Sequence, residues 1–176
     1  LKNWMYVMAE RLAAENCDRI VTVCDTMAER AAAAGAGTRS MMRTIYSGFP
    51  LAAFLAVQPR PRDGAFVVGT VSRMFEHKGH EDLMTLAPLV FKRWDDVNFR
   101  LLGDGPMRRD WNAWLDAHPE WKQRIQLVGR VPLGEVASQI GQMDLVLHLS
   151  WREGLARSIP QALAAGRPVC VYDVGG

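Results

Sequence analysis

From Phe66 onward the chain alternates short apolar runs rich in β-branched residues with segments of helical period, the pattern of strand and helix units that build a parallel sheet. Runs at Phe66–Val71, Val97–Leu102, Ile125–Val128, Leu145–Leu149 and Val169–Tyr172 predict strands. Between the first two, Leu83, Leu86, Ala87, Val90 and Phe91 recur at i, i+3, i+4, i+7 and i+8, one face of an amphipathic helix. Met107, Trp111, Trp114, Leu115 and His118 mark a second helix, with Pro106 in its first turn, where a missing N–H is tolerated. A short helix is expected after Pro132 through Val136 and Ile140, and another from about Arg157 to Ala165, stopped by Gly166 as C-cap.

Upstream the rhythm is present but shorter. A helix through Met5, Met8, Leu12 and Ala13, a strand Ile20–Cys24, a helix through Met27 and Ala31 and a strand Arg43–Tyr46 are too few to close a doubly wound domain. Ser47–Gly64, with Gly48, Pro50, Pro59, Pro61 and Gly64, reads as an interdomain connection. The expected organisation is therefore the end of one domain over residues 1–47, a linker over 48–64, and an α/β, Rossmann-like parallel sheet flanked by helices over 65–176. A start at Leu1 and a stop on two glycines after a strand lead to the expectation that both ends are truncated.

Composition narrows the function classes. Hydrophobic residues make up 49% and charged residues 23%, enough for a buried core and unlike a disordered chain. With 21 basic and 19 acidic side chains the net charge is +2, so no bulk basic field is available for nucleic acid and any anion site must be local. Cys17, Cys24 and Cys170 form neither a disulfide framework nor a thiolate metal site. No apolar run approaches the roughly 18 residues that span a bilayer, the nearest being Leu51–Val57. Glu10, Arg11 and Glu15 are unlike the apolar stretch of a signal peptide. A cytoplasmic location is expected.

Ligands of open parallel sheets bind outside the carboxyl ends of the strands, so the residues after each run carry the candidate chemistry. After the first strand, Arg73 and Lys78 offer a bidentate fork and a point charge suited to a phosphate or diphosphate; the alternative is two solvated loop cations. After the second, Gly103-Asp104-Gly105-Pro106 admits close backbone approach to a ligand or simply makes a tight turn. After the fourth, Glu153 and Gly154 fall at an expected helix start, where Glu153 either accepts polyol hydroxyls or is only an N-terminal charge. His77 and His80 have HxxH spacing without a third ligand and read as surface imidazoles. His148 reads as a hydrogen-bonded core or strand-end residue, Trp111, Trp114 and Trp121 as helix packing, and Cys24 and Cys170 as small core residues. No dinucleotide fingerprint or P-loop is present.

The order of these pieces resembles a known family. Val68-Gly69-Thr70-Val71-Ser72-Arg73 with Lys78-Gly79-His80, then Leu101-Leu102-Gly103-Asp104-Gly105-Pro106, Val128-Gly129-Arg130-Val131, Asp144 to Ser150, Glu153-Gly154 and Ala162 to Val169 are similar to the GT4-type retaining glycosyltransferases of the GT-B fold. The resemblance runs from about Asp18 to Gly176, including Ile45-Tyr46-Ser47-Gly48-Phe49 at the expected link. It implies two facing Rossmann-like domains, with a nucleoside-diphosphate sugar, UDP- or GDP-linked, held mainly by the second. By that carry-over Arg73 and Lys78 contact the donor diphosphate and Glu153 lies near the donor sugar. Gly154, Leu155 and Ala156 give backbone N–H groups, Gly103 belongs to the donor-binding set, and Gly129, Arg130 and Val131 lie near the base. The second acid of the family's Glu-x7-Glu motif falls on Gln161, whose amide oxygen can still accept from the ribose but without charge assistance.

The resemblance also implies metal-independent stabilisation of the leaving diphosphate, with no cofactor besides the donor substrate. A glycan or lipid-linked saccharide is the expected acceptor, no nucleic acid is expected, and the absent first domain would supply any peripheral contact with the inner membrane face. This chain alone is expected to bind donor and not to turn over. The competing readings are a sugar-nucleotide epimerase of the same fold and a non-catalytic or degenerate nucleotide-sugar-binding module.

Overall fold

A computed structural model of the chain describes residues 2–58, 60, 61 and 64–175. Leu1, Pro59 of the expected linker and Gly176 lie outside the described residues. The chain forms two units, the first made of the described residues up to Gly48 with Glu153–Ala156 and residues 174 and 175, the second of the described residues in Phe49–Arg152 and Arg157–Asp173.

In the first unit, helix α1 (Lys2–Ala14), strand β1 (Ile20–Thr22), helix α2 (Asp25–Ala33) and strand β2 (Met42–Thr44) follow one another, with β1 and β2 paired in parallel. Both strands are shorter than expected. Cys24 is buried as anticipated, but it caps α2 and is not part of β1. Ala14 of α1 and Ala28 of α2 are buried, while Met5, Leu12 and Met27 are exposed.

The second unit opens with helix α3 (Leu51–Leu55), inside the span expected to be a plain connection. Phe54 is buried and meets Phe49 edge to face at 5.1 Å, so this five-residue run is held by packing and not by its own propensity. Strand β3 (Phe66–Val71), helix α4 (His80–Arg93), strand β4 (Val97–Leu102), helix α5 (Arg108–Ala117), strand β5 (Ile125–Gly129), helix α6 (Val136–Gly141), strand β6 (Leu145–His148), helix α7 (Ser158–Ala164) and strand β7 (Val169–Val171) follow. The α/β class read from the periodicity is the one observed. β3 and β4 match their expected bounds; α5 begins two residues past Pro106, which sits in the preceding turn, and α7 begins at Ser158, so Glu153 and Gly154 are not at its start.

All five strands run parallel in the order β5-β4-β3-β6-β7. Alternation along β4 sends Val97, Phe99 and Leu101 to a core with α4 and α5 around fully buried Trp111, and Leu102 to a second core with Phe54, Ile140 and Ala162 of α3, α6 and α7. Helices thus cover both faces, as in a doubly wound sheet. Helix α7 ends as the Gly166 pattern demands: Gly166 has φ of 68°, its N–H reaches the Leu163 oxygen at 3.0 Å, and the Arg167 N–H reaches the Ala162 oxygen at 2.9 Å, a Schellman motif. Cys170 contradicts its expected core role. It lies on the edge strand β7 with its side chain exposed, because an apolar run at a sheet edge need not have both faces covered.

The carboxyl ends of β3, β4 and β5 are knitted together by backbone. The Ser72 N–H donates to the Leu102 oxygen at 3.1 Å, the Met74 N–H to Asp104 at 2.9 Å, the Met107 N–H to Met74 at 3.0 Å and the Gly103 N–H to Gly129 at 2.9 Å. Gly103 makes this possible: its φ is 137°, and a Cβ there would stand 1.9 Å from the Ser72 carbonyl oxygen. Gly103→Ala is therefore expected to cost about 2 kcal/mol or more from the strained φ and the backbone overlap. That corresponds to a melting temperature about 4–8 °C lower in a calorimetric scan; an unchanged midpoint would refute the close approach.

Candidate functional site

The chain steps outward from β3 through β4 to β5 and then returns to place β6 on the other side of β3. That reversal makes the carboxyl ends of β3 and β6 the switch point of the sheet, the place where such sheets bind ligands. The loop carrying Arg73 and Lys78 lies there. Arg73 is exposed, its guanidinium 5.0 Å from the centroid of the Phe75 ring, and Lys78 is half-buried.

The loop is pinned at both ends. Its first half is held by the Leu102 and Asp104 carbonyls and its second half by the segment just after β6: the His77 oxygen accepts from the Trp151 N–H at 2.8 Å and from Ser150 Oγ at 3.1 Å. His77 is the one non-glycine residue with positive φ, 61°, among those described. Two donors on one carbonyl hold a conformation that a lone imidazole residue rarely adopts. Gly79 follows with φ of 75°, and a Cβ on it would lie 2.1 Å from the Leu149 oxygen, so the loop backbone presses directly on the end of β6.

His80 corrects the sequence expectation of a surface imidazole: only 2% of it is exposed. Its Nδ1 accepts from the Trp111 indole N–H at 3.1 Å, while Nε2 faces the Arg73 carbonyl at 3.2 Å and Ser72 Oγ at 3.4 Å. An indole can only donate, so these partners assign the proton to Nε2. Burial pushes the imidazole below its usual 6.5, opposed by the Arg73 carbonyl and Glu81. The stripe Leu83, Ala87 and Phe91 extends back at helical spacing to position 80, a signal that the HxxH pattern obscured.

The remaining expected site residues are divided. Gly103 and Gly129 stand beside the Arg73 loop, bridged to each other, but the space at Gly103 is filled by the Ser72 backbone and so serves a turn. Arg130 is exposed, and the Val131 side chain packs on the second core. Gln161 is half-buried on α7. Glu153, Gly154, Leu155 and Ala156 belong to the first unit, where a Cβ on Gly154 would meet Val23 at 3.0 Å and the Gly175 backbone crowds the Glu153 carbonyl.

His148 is buried with Nδ1 3.3 Å from Ser158 Oγ, in line with its strand-end reading. Arg108, which the sequence did not single out, lies against Gly129; its Nη2 donates to the Leu127 oxygen at 3.4 Å and its Nη1 is buried without a hydrogen-bond partner. Its place just after the Gly-Asp-Gly-Pro turn was the only available sign. Asp82 of α4 accepts from the Trp151 indole at 2.7 Å and from the Tyr172 hydroxyl at 3.1 Å; desolvation first, then this bond, pushes the Tyr172 phenol up. Among the described residues no three His, Cys, Asp or Glu side chains cluster closely enough to hold a metal ion, and no helix is long and apolar enough to cross a membrane.

Known proteins share this architecture. In sequence the chain is 31% identical over 110 residues to the phosphatidylinositol N-acetylglucosaminyltransferase GPI3 subunit of Saccharomyces cerevisiae, covering 62% of this chain and 24% of that protein. It is 32% identical over 116 residues to the 2-deoxystreptamine glucosyltransferase of Streptomyces kanamyceticus, covering 66% of this chain and 30% of the relative. In structure it superposes on Anabaena Alr3699/HepE, solved in complex with UDP-glucose, with a TM-score of 0.80 at 20% identity, over 97% of this chain and 50% of that one. The chain thus spans about a quarter to a third of these curated relatives, and its fold is that of the GT-B glycosyltransferases. The model of the glycosyl transferases group 1 family matches residues 65–176, the whole five-stranded sheet with the Arg73 loop, and the chain belongs to that family.

Proposed function

We propose that this chain is the donor-binding part of a glycosyltransferase of the GT4 type, which moves a sugar from a nucleoside diphosphate to an acceptor with retention of anomeric configuration. The observation that carries the reading is the Arg73–Lys78 loop, two cations on a doubly pinned backbone at the switch point of the sheet. Transfer leaves negative charge on the departing diphosphate. A fork and a point charge already held in place stabilise that charge as it develops, with little reorganisation. Gly129, Arg130 and Val131 are proposed to line the base and Gln161 to accept from the ribose. Glu153 is proposed to accept the hydroxyls of the donor sugar, with Gly154, Leu155 and Ala156 supplying N–H groups. With no side chain assigned as nucleophile, retention is proposed to follow from acceptor attack on the face that the diphosphate leaves.

The donor is proposed to be UDP-linked, in keeping with the UDP-glucose found in the Anabaena relative. A glycan or a lipid-linked saccharide is the proposed acceptor. One observation favours a second reading: Gln161 replaces the carboxylate expected of a ribose acceptor, as a degenerate donor-binding module would allow.

A thermal-shift screen of UDP-, GDP- and ADP-sugars tests the proposal. A donor at one hundred times its dissociation constant adds about 2.7 kcal/mol of stability, which raises the melting temperature by about 5–10 °C. Arg73→Ala should abolish that rise while leaving the unliganded midpoint within about 2 °C, as expected of an exposed side chain, and Lys78→Ala should abolish the rise as well. If no sugar nucleotide shifts the midpoint, the donor reading fails.

Gln161→Glu should tighten donor binding about three- to tenfold, because a carboxylate accepts the ribose hydroxyls more strongly than an amide. Equal affinity measured by calorimetry would place position 161 away from the ribose. In the intact protein Arg73→Ala should lower kcat about 10²–10³-fold if the chain is an enzyme, the usual effect of removing one donor from developing charge; no turnover in the unmodified protein would favour the binding module.

A further inference from the structure

We infer that His80 is a positioning residue for the diphosphate loop: its imidazole clasps the Arg73 carbonyl to the indole N–H of Trp111 and so fixes the loop against helix α5. The ligand in this inference rests on the donor reading above; the clasp itself rests on geometry. Three observations carry it. His80 bridges two elements, with Nε2 at 3.2 Å from the Arg73 oxygen and Nδ1 at 3.1 Å from Trp111 Nε1. Trp111 is fully buried in the core, so one end of the clasp cannot move. Arg73 is exposed, and its neighbouring backbone is the part of the loop that a phosphate would have to find in place.

The residue type follows from these partners. A neutral imidazole supplies one donor and one acceptor at opposite sides of a rigid ring, which matches a carbonyl on one side and an indole on the other. Leucine would fill the space but leave a buried indole N–H unpaired. The clasp also has a built-in dependence on protonation. A proton on Nδ1 would face the indole N–H, two donors with no acceptor between them, and would be buried.

The charged and titratable groups around the ring are Glu81 on its own helix, Arg73 and Lys78 on the loop, and His148 at the end of β6; Trp111 on α5 is neutral. The sign is therefore set. The folded imidazole is pushed below its usual 6.5, so the clasp is fully formed above that pH. It weakens as pH falls below 6.5, where the opened state takes up the proton first.

Amide hydrogen exchange across residues 72–79 of the intact protein, compared between His80→Gln and His80→Asn, tests the clasp. Glutamine places an N–H where Nε2 stood, so it keeps the bond to the Arg73 carbonyl though not the acceptor for the indole, and should hold loop protection above that of asparagine. Asparagine reaches only as far as Nδ1, cannot bond the Arg73 carbonyl, and should lower protection about three- to tenfold, the effect of one hydrogen bond. Protection in β4 serves as the control for global stability. Between pH 7.5 and 5 the unmodified loop should lose protection relative to His80→Gln.

Equal protection in the two variants, or the same pH profile in His80→Gln as in the unmodified protein, would overturn the inference. Calorimetric titration with UDP separates it from the donor reading. His80→Asn should weaken UDP binding about three- to tenfold relative to His80→Gln, and that ratio at each pH cancels protonation of the ligand itself. Loop exchange that responds to His80 while Arg73→Ala leaves UDP affinity unchanged would sink the donor reading and leave the clasp standing.

Discussion

A bare Cα where β4 ends lets one loop lie directly on another, and the geometry of the second unit follows from that contact. With any side chain at Gly103, the Ser72 carbonyl would have to retreat, and the bonds that join the Arg73 loop to Asp104 and Met107 would go with it. Gly79 plays the same part against Leu149 at the far end of the loop. Between these two close approaches the chain is tied at both ends, and even His77 is held in a left-handed conformation by two donors on its carbonyl. Such a loop loses little entropy when it meets an anion, because its ordering belongs to the fold.

This arrangement explains how a chain of net charge +2 would carry the anion site proposed above. Exposed single cations are screened within about 8 Å at physiological salt and individually contribute little. What distinguishes Arg73 and Lys78 is a rigid backbone at the one place where the sheet reverses direction. Most of that rigidity comes from neutral hydrogen bonds to carbonyls and to an imidazole, which leave no trace in composition.

Much of the fold was legible in the sequence. The stripe Leu83, Leu86, Ala87, Val90 and Phe91 packs on the first core as its spacing indicated, β3 and β4 have their expected bounds, and Gly166 ends α7 in the expected motif. The misreadings share a cause. Helix α3 is too short to show a period and exists because Phe54 finds the second core. His80 looked like a surface residue because its polarity was weighed above its place on a buried stripe, and Cys170 looked like core because an apolar run does not reveal which strand lies at an edge. Glu153 and Gly154 were expected at a helix start, yet α7 begins at Ser158. Of the candidate site, Arg73, Lys78 and the glycines were visible as residue types after strands, whereas Arg108 and the partners of His80 were not.

By itself the sequence determined the order and kind of the elements from β3 to β7, the parallel character of the sheet and the loops in which cations and glycines fall. Local period, turn chemistry and the spacing of apolar positions encode these, and all are properties of neighbouring residues. Only the tertiary structure decided that β6 returns to the side of β3, that the Gly103 turn serves the Arg73 loop, and that His80 lies beneath it between Arg73 and Trp111. All but the short step from Arg73 to His80 join residues 30 or more positions apart, and contacts of that kind arise from tertiary packing, which no local pattern records.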